Sequence, residues 1–256
     1  MDVSSNHAML ARLNVLVVDD HEINREFLRA GIGRLVKRIV LAKNGIEAVE
    51  LCEYHEFDVI LMDLHMPQMD GLATANRIRD LGKASSSARM IILTADTRPE
   101  EKRRLLDAGF DTYLNKPVSI QQLAKAIEAV MRPGSSQVGG GGDRDSHSSL
   151  IDHRKALSAA NQDDDLVKQL TAMLITELDQ GLPRLDQMLI NGQFDQASGL
   201  LHQWAGAAGY AGASRFVEAC RSLRRCLEMG SKSSPGTAYL DFLRVTSASM
   251  RVLSQS

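Results

Sequence analysis

Five polar side chains in the first half of the chain each come at or just after the end of a short apolar run. They are Asp19, Asp20, Asp63, Thr94 and Lys116. Each run is typical of a buried parallel strand, and the carboxyl ends of parallel strands meet at one edge of a sheet. Three carboxylates at one edge would repel each other unless a cation lay between them, and Mg²⁺ prefers oxygen ligands. The pattern predicts a divalent-metal and phosphoryl site.

The same five residues indicate a reaction. Asp63 is the expected nucleophile, attacking a phosphoryl group to form an acyl phosphate. Lys116 and Mg²⁺ would neutralise the phosphoryl oxygens, and Thr94 would hydrogen-bond one of them. Alone, Lys116 also fits a surface lysine and Thr94 an ordinary strand residue. Their combination favours phosphoryl chemistry.

A second candidate nucleophile, His202, lies far downstream in a helical stretch of small residues. Ala205, Gly206 and Gly209 occupy the neighbouring positions three, four and seven residues on, which leaves the imidazole accessible. Each glycine costs about 1 kcal/mol in a helix interior, and clearance for a partner would explain that cost. Tight helix packing around a polar edge histidine is the alternative. Together, Asp63 and His202 suggest a phosphoryl group passed between an aspartate and a histidine.

Strands and helices alternate through the first half of the chain, which predicts a doubly wound, five-stranded parallel sheet with right-handed crossovers. The predicted strands are 14–18, 38–42, 58–62, 90–94 and 111–114. The predicted helices are 22–35, 45–55, 71–81, 99–108 and 119–131. This α/β domain is expected to span 13–132.

An all-α domain is predicted after a change in composition. Residues 133–150 are rich in glycine and serine, with four consecutive glycines, and are expected to form a flexible linker. Apolar residues at helical spacing then predict a long helix over 163–190 and three further helices up to residue 253, with a short helix at about 152–160 in front. Short connections favour a four-helix bundle over 151–254.

Bulk properties narrow the class of protein. A length of 256 residues favours two domains, and the formal net charge of −2 gives no general basic excess for nucleic acid. The chain has no apolar run long enough for a membrane span, and its first residues do not resemble a signal peptide. Three cysteines without a CxxC pair are expected to be reduced. These features predict a cytoplasmic protein.

The first half resembles the receiver domain of bacterial two-component response regulators, a flavodoxin-like fold. The resemblance rests on the segments VLVVDD, LMDLHMPQMDGL, ILTAD and YLNKPV. It implies that Asp63 is the phosphoacceptor and Asp20 a direct Mg²⁺ ligand. It also implies that Asp19 helps through water and that the backbone carbonyl of His65 is the remaining protein ligand.

The resemblance further implies that Thr94 and Tyr113 form the switch pair whose rearrangement reports phosphorylation. An ordinary half-buried strand aromatic is the alternative for Tyr113. The MPxMDG form is similar to receivers at the ends of hybrid sensor kinases.

The second half resembles the histidine-containing phosphotransfer (HPt) domain, through LLHQWAGAAGYAGASRF and the helical pattern before it. In that family His202 would carry the phosphoryl group on a ring nitrogen. Ala205 departs from the family, which commonly has a phosphate-contacting lysine there. Gln203 or a nearby arginine is a possible substitute. The candidate arginines are Arg221, Arg224 and Arg225.

We therefore expect a two-component phosphorelay protein that is a phosphotransfer protein, at most a weak autophosphatase, with no ATP-binding kinase region. Its expected partners are a histidine kinase and a partner receiver or HPt protein, and contact between its own two domains is a further possibility. The alternative is a response regulator whose degenerate bundle is a passive output or dimerisation module. A DNA-binding output on the basic patch 221–225 is disfavoured, because no helix-turn-helix pattern is evident.

Overall fold

The computed structural model describes residues 8–95, 99–132, 150–228 and 235–254. The chain divides into two compact units, Met1–Arg144 and Asp145–Ser256. Most of the predicted linker lies outside the described residues, and the domain boundaries stay predictions.

The first unit contains a five-stranded parallel sheet. Its strands are β1 (Asn14–Val18), β2 (Arg38–Ala42), β3 (Val59–Asp63), β4 (Arg89–Thr94) and β5 (Thr112–Asn115). The strand order is β2-β1-β3-β4-β5, the doubly wound order of flavodoxin-like folds. The fold class predicted for this half is confirmed.

The central strands are buried because their residues are almost entirely apolar. All residues of β3 are buried, as are the last four of β1. Such continuous apolar runs are typical of parallel strands covered by helices on both faces. The ends of these strands therefore place polar side chains at a defined edge of the sheet.

Helices connect the strands, and capping side chains set several helix starts. The helices are α1 (Glu22–Ile32), α2 (Gly45–Tyr54), α3 (Gly71–Asp80), α4 (Pro99–Asp107) and α5 (Ile120–Met131). Asp70 accepts a hydrogen bond from the backbone N of Ala73 at the start of α3, and Ser119 caps α5 in the same way. A short 3₁₀ helix, Ala84–Ser87, was not predicted. The first helix ends at Ile32, three residues earlier than predicted.

The second unit is helical. It comprises α6 (His153–Ala159), α7 (Asp164–Ile190), α8 (Phe194–Tyr210), α9 (Ser214–Glu228) and α10 (Pro235–Leu253). Trp204 of α8, Phe216 of α9 and Phe242 of α10 are fully buried, and the Trp204 and Phe242 rings stack at 6.3 Å between centroids. The predicted bundle with a short preceding helix is confirmed. Within the described ranges, no helix is long and apolar enough to cross a membrane.

Candidate functional site

Three carboxylates converge at the carboxyl edge of the sheet. Asp19 and Asp20 directly follow β1, and Asp63 is the last residue of β3. Each offers one carboxylate oxygen, and these oxygens all lie within 4.8 Å of one another. Asp19 and Asp63 are buried, whereas Asp20 is partly exposed. The structure thus brings together the three acidic residues that the sequence predicted.

The side chain of Lys116 joins this cluster from the end of β5. Its Nζ lies 2.7 Å from Oδ2 of Asp19 and 2.8 Å from Oδ2 of Asp63. The backbone N of Lys116 donates to the carbonyl of Thr94 at 2.8 Å, which ties the residue to β4. A buried ammonium between two buried carboxylates offsets charge that would otherwise be costly in this position.

Asp19 is held in place by the first helix. Nδ2 of Asn24 lies 3.0 Å and 3.2 Å from the two carboxylate oxygens of Asp19. The backbone N of His21 donates to Oδ1 at 2.9 Å, and Arg25 donates to the Asp19 carbonyl at 2.7 Å. Neither Asn24 nor Arg25 was predicted from the sequence to belong to this site. Both residues lie in the first turns of the helix that starts just after Asp19-Asp20, and this position could have indicated that they lie near the carboxylates.

Burial changes the acidity of the proposed nucleophile. It raises the pKa of Asp63 to about 7, mainly because the charged carboxylate loses its contact with water. Lys116 lowers this pKa through its positive charge, while the negative charge of Asp19 and Asp20 raises it. The acidic pocket therefore favours a cation, which would stabilise the ionised form of Asp63.

The other predicted receiver residues lie at or next to the same edge. Asp63 pairs with Leu93 in the register of β3 and β4, so Thr94 is the next residue along the neighbouring strand. Thr94 is buried, and Tyr113 on β5 is partly buried. The backbone N of His65 lies 3.4 Å from Oδ1 of Asp63, in the loop that follows β3.

In the helical unit, His202 is contacted by an arginine from the adjacent helix. Nη1 of Arg224 lies 2.8 Å from Nδ1 of His202. The Nε of Arg224 donates to Oε1 of Glu228 at 2.7 Å and to Oγ of Ser198 at 3.2 Å. Arg224, one of the three candidate arginines, therefore contacts His202.

The surroundings of His202 divide α8 into two faces. His202, Ala205 and Gly206 are partly exposed, whereas Trp204 is buried and donates to Oε1 of Glu177 on α7 at 3.0 Å. The imidazole therefore lies on the accessible side of a helix whose other side is fixed in the core.

Two family models match the chain. Residues 15–128 match the response regulator receiver domain, and residues 169–246 match the Hpt domain. The chain combines a receiver domain with an Hpt domain. Both are phosphotransfer modules of two-component systems and not kinase domains.

Two curated relatives each match most of the chain. Signal transduction histidine-protein kinase BarA of Escherichia coli K12 is 28% identical over 86% of this chain and 24% of its own length. Sensor protein GacS of Pseudomonas syringae is 29% identical over 85% of this chain and 25% of its own length. The chain thus spans about a quarter of the length of these relatives.

Solved structures match the receiver half. Chemotaxis protein CheY4 of Vibrio cholerae is 28% identical, with a TM-score of 0.45, and the match covers 47% of this chain and 100% of that one. The magnesium-bound receiver domain of the Pseudomonas aeruginosa sensor histidine kinase PA1611 is 30% identical, with a TM-score of 0.42, over 46% and 96% of the two chains.

Proposed function

We propose that this chain holds two phosphoryl-carrying sites of a two-component phosphorelay. Asp63 accepts a phosphoryl group from a phosphohistidine, and His202 carries a phosphohistidine for transfer to or from an aspartate. The main support for the phosphoryl site at Asp63 is the position of the Lys116 ammonium, which lies within 2.8 Å of both Asp19 and Asp63. No surface role explains a lysine buried between two carboxylates.

The acidic cluster fits a divalent cation. Three carboxylates share one pocket with a single ammonium, so the pocket keeps excess negative charge. Asp20, Asp63 and the backbone carbonyl of His65 would hold Mg²⁺, and Asp19 would help through water. When bound, Mg²⁺ supplies positive charge that stabilises the phosphoryl oxygens.

The protein's own residues then have defined roles at Asp63. A carboxylate oxygen of Asp63 attacks phosphorus, and the bond from phosphorus to the donor nitrogen breaks, leaving its electron pair on the imidazole. Lys116 stabilises the charge on the phosphoryl group, and the Thr94 hydroxyl donates to one of its oxygens. Rearrangement of Thr94 and Tyr113 would report the reaction. Slow hydrolysis of the acyl phosphate would make the receiver a weak autophosphatase.

The proposed partners follow from the two domain types. The phosphoryl group comes from a histidine kinase, on the same or a separate polypeptide, and passes to or from a partner receiver or HPt protein. The relatives named as histidine-protein kinase and sensor protein support the proposal that a histidine kinase is the phosphoryl donor. The free cysteines, of which Cys52 and Cys220 are buried, fit the proposed cytoplasmic location.

Labelled phosphoryl transfer tests the proposal. The full chain, Asp63→Ala and His202→Ala would be incubated with Mg²⁺ and either acetyl phosphate or a phosphorylated partner receiver. We expect base-labile label that is lost in Asp63→Ala and acid-labile label that is lost in His202→Ala. The exposed residues Asp80 and His153 provide matched control substitutions. Label that persists in either site variant would refute the site concerned.

A second candidate function is a response regulator with a passive bundle. Ala205 in place of a lysine favours it, as does the arginine that contacts His202. Label on Asp63 alone, after a competent partner receiver has been tested, would support this alternative over the two-site phosphorelay.

A further inference from the structure

The contact between Arg224 and His202 fixes the direction of a hydrogen bond. A guanidinium has five N–H donors, no acceptor, and keeps its charge at all ordinary pH values. At 2.8 Å from Nη1, the Nδ1 of His202 must therefore accept. A neutral imidazole that accepts at Nδ1 carries its proton on Nε2. A doubly protonated ring has no acceptor at all and is incompatible with this contact.

Arg224 is held in that position by two further groups. Its Nε donates to Glu228 one turn along α9 and to Ser198 on α8. The Ser198 hydroxyl also lies 3.2 Å from Oε1 of Glu228. The guanidinium is thus linked to both helices, and its contact with His202 belongs to a connected polar network.

This network has a consequence for the nucleophilicity of His202. A ring nitrogen attacks phosphorus through a lone pair. In the Arg224-bound ring the lone pair of Nδ1 accepts the guanidinium hydrogen, and Nε2 carries a hydrogen in place of a lone pair. Neither nitrogen is then ready to attack.

We propose that Arg224 is a positioning residue that holds His202 in the Nε2-protonated tautomer, so that phosphoryl transfer requires Arg224 to leave Nδ1. This inference rests on the proposed role of His202 as a phosphoryl carrier. Once Arg224 has moved, solvent exchange moves the ring proton from Nε2 to Nδ1. The Nε2 lone pair attacks the phosphorus of a receiver's acyl phosphate, the P–N bond forms, and the P–O bond breaks. The carboxylate leaves with the electron pair, and the proton on Nδ1 remains there or passes to water.

The tautomer is measured directly on the full chain. Nitrogen-15 NMR of histidine-labelled protein separates protonated from unprotonated ring nitrogens, and His202→Ala identifies the signals. In the wild type we expect a protonated Nε2 and an unprotonated Nδ1. In Arg224→Gln the amide oxygen can accept from Nδ1, so we expect the population to shift toward the Nδ1-protonated tautomer. Arg224→Lys keeps a donor-only side chain and should retain the wild-type tautomer.

Reactivity provides the second measurement. Diethyl pyrocarbonate acylates imidazole lone pairs, and mass spectrometry gives the rate at His202. Because hydrogen bonds from charged donors are strong, we expect Arg224→Gln to raise this rate on the order of tenfold, which corresponds to about 1.4 kcal/mol. Phosphorylation of His202 by phosphoramidate should rise in parallel. The exposed Arg215, at the start of the same helix α9, supplies the matched control, Arg215→Gln, which should change neither rate.

The outcomes of these two measurements test the tautomer assignment and the proposed phosphoryl site separately. An unchanged tautomer in Arg224→Gln, or an unchanged or lower rate of modification, would overturn the proposal. If the tautomer and the acylation rate change as expected but His202 is never phosphorylated, the tautomer assignment is supported and the proposed phosphoryl site fails. Emission of Trp204, the single tryptophan, checks the fold of each variant. If Arg224→Gln unfolds, Glu228→Gln loosens the same arginine and should give a smaller shift in the same direction.

Discussion

Nζ of Lys116 lies 2.8 Å from Oδ2 of Asp63, and both side chains are about 95% buried. A full positive charge is therefore placed beside the proposed nucleophile before any phosphoryl group arrives. Fixed charges of this kind act strongly in a site that excludes water, because they need little reorganisation during the reaction. Lys116 also compensates a second buried carboxylate, Asp19, so its contributions to stability and to chemistry are linked.

Replacing Lys116 by methionine should slow phosphorylation of Asp63. Removal of one preorganised charge-stabilising donor typically lowers a rate by about 10² to 10³-fold. The initial rate of Mg²⁺-dependent labelling by acetyl phosphate measures the effect. Lys125→Met, at an exposed position of α5, serves as the control and should react like the wild type. Equal rates in the two variants would show that Lys116 has no part in the reaction.

The raised pKa of Asp63 predicts a pH-dependent stability of the metal-free receiver unit. The carboxyl of the unfolded chain ionises near its ordinary pKa of 3.8, whereas the carboxyl of the folded chain keeps its proton until about pH 7. Folding takes up a proton between these values, so this group's contribution to stability falls as pH rises through that window and levels off above it. Asp63→Asn removes the effect and should stabilise the metal-free unit more at pH 8 than at pH 5, by about 3 kcal/mol, because about two pH units of the titration lie between these values.

Hydrogen exchange of the β1 and β3 amides in the full chain measures this difference without interference from the helical unit. Asp80→Asn, at an exposed position, is the matched control and should show little change with pH. A difference between Asp63→Asn and wild type that is constant from pH 5 to pH 8 would contradict the prediction. Added Mg²⁺ should reduce the advantage of Asp63→Asn, because a cation favours the ionised carboxylate.

The strands and the acidic cluster were predictable because they depend on short-range pattern and topology. An apolar run that ends in Asp63 indicates a buried strand, and parallel strands bring such ends together. Asn24 was harder to predict, because its contact with Asp19 depends on how α1 is rotated against the sheet. The 3₁₀ helix Ala84–Ser87 is held by side-chain hydrogen bonds to distant carbonyls, such as that of Ser86 to Ile78, which no local periodicity reveals.

The environment of His202 was predictable only in part. Helical spacing placed small residues beside the imidazole, but it left three arginines as equal candidates for a contact. Which of them reaches His202 depends on the relative rotation and separation of α8 and α9. The packing of buried side chains such as Trp204 and Phe216 sets this rotation and separation. In the structure, Arg224 contacts His202.

Gly71 at the start of α3 should be intolerant of a side chain. A Cβ there would lie 2.5 Å from the backbone oxygen of Asp63 and 3.1 Å from Cα of Leu64. Because backbone atoms cannot move aside cheaply, Gly71→Ala should displace the loop that carries the nucleophile and destabilise the receiver unit by about 1 to 3 kcal/mol. Phosphorylation of the fraction that remains folded should also decrease.

Ala73→Gly separates these two effects. It weakens the exposed first turn of α3 by about 1 kcal/mol through helix propensity alone and should leave the phosphorylation rate of folded protein unchanged. Stability is followed by hydrogen exchange of β3, and activity by initial labelling rates. Normal labelling in folded Gly71→Ala protein would show that the close approach to Asp63 has no functional consequence.

Two glycines within helices of the second unit should respond in opposite directions to alanine. A Cβ on Gly181 of α7 would lie 2.4 Å from Cζ2 of Trp204, whereas one on Gly199 of α8 meets nothing within 4 Å. Gly181→Ala should therefore force α7 and the Trp204 ring apart and destabilise the bundle by about 1 to 3 kcal/mol. Gly199→Ala should stabilise it by about 0.5 to 1 kcal/mol, because alanine restricts the unfolded chain and favours the helix. Urea unfolding followed by Trp204 emission measures both changes, and a Gly181→Ala protein as stable as the wild type would contradict the close packing of α7 against α8.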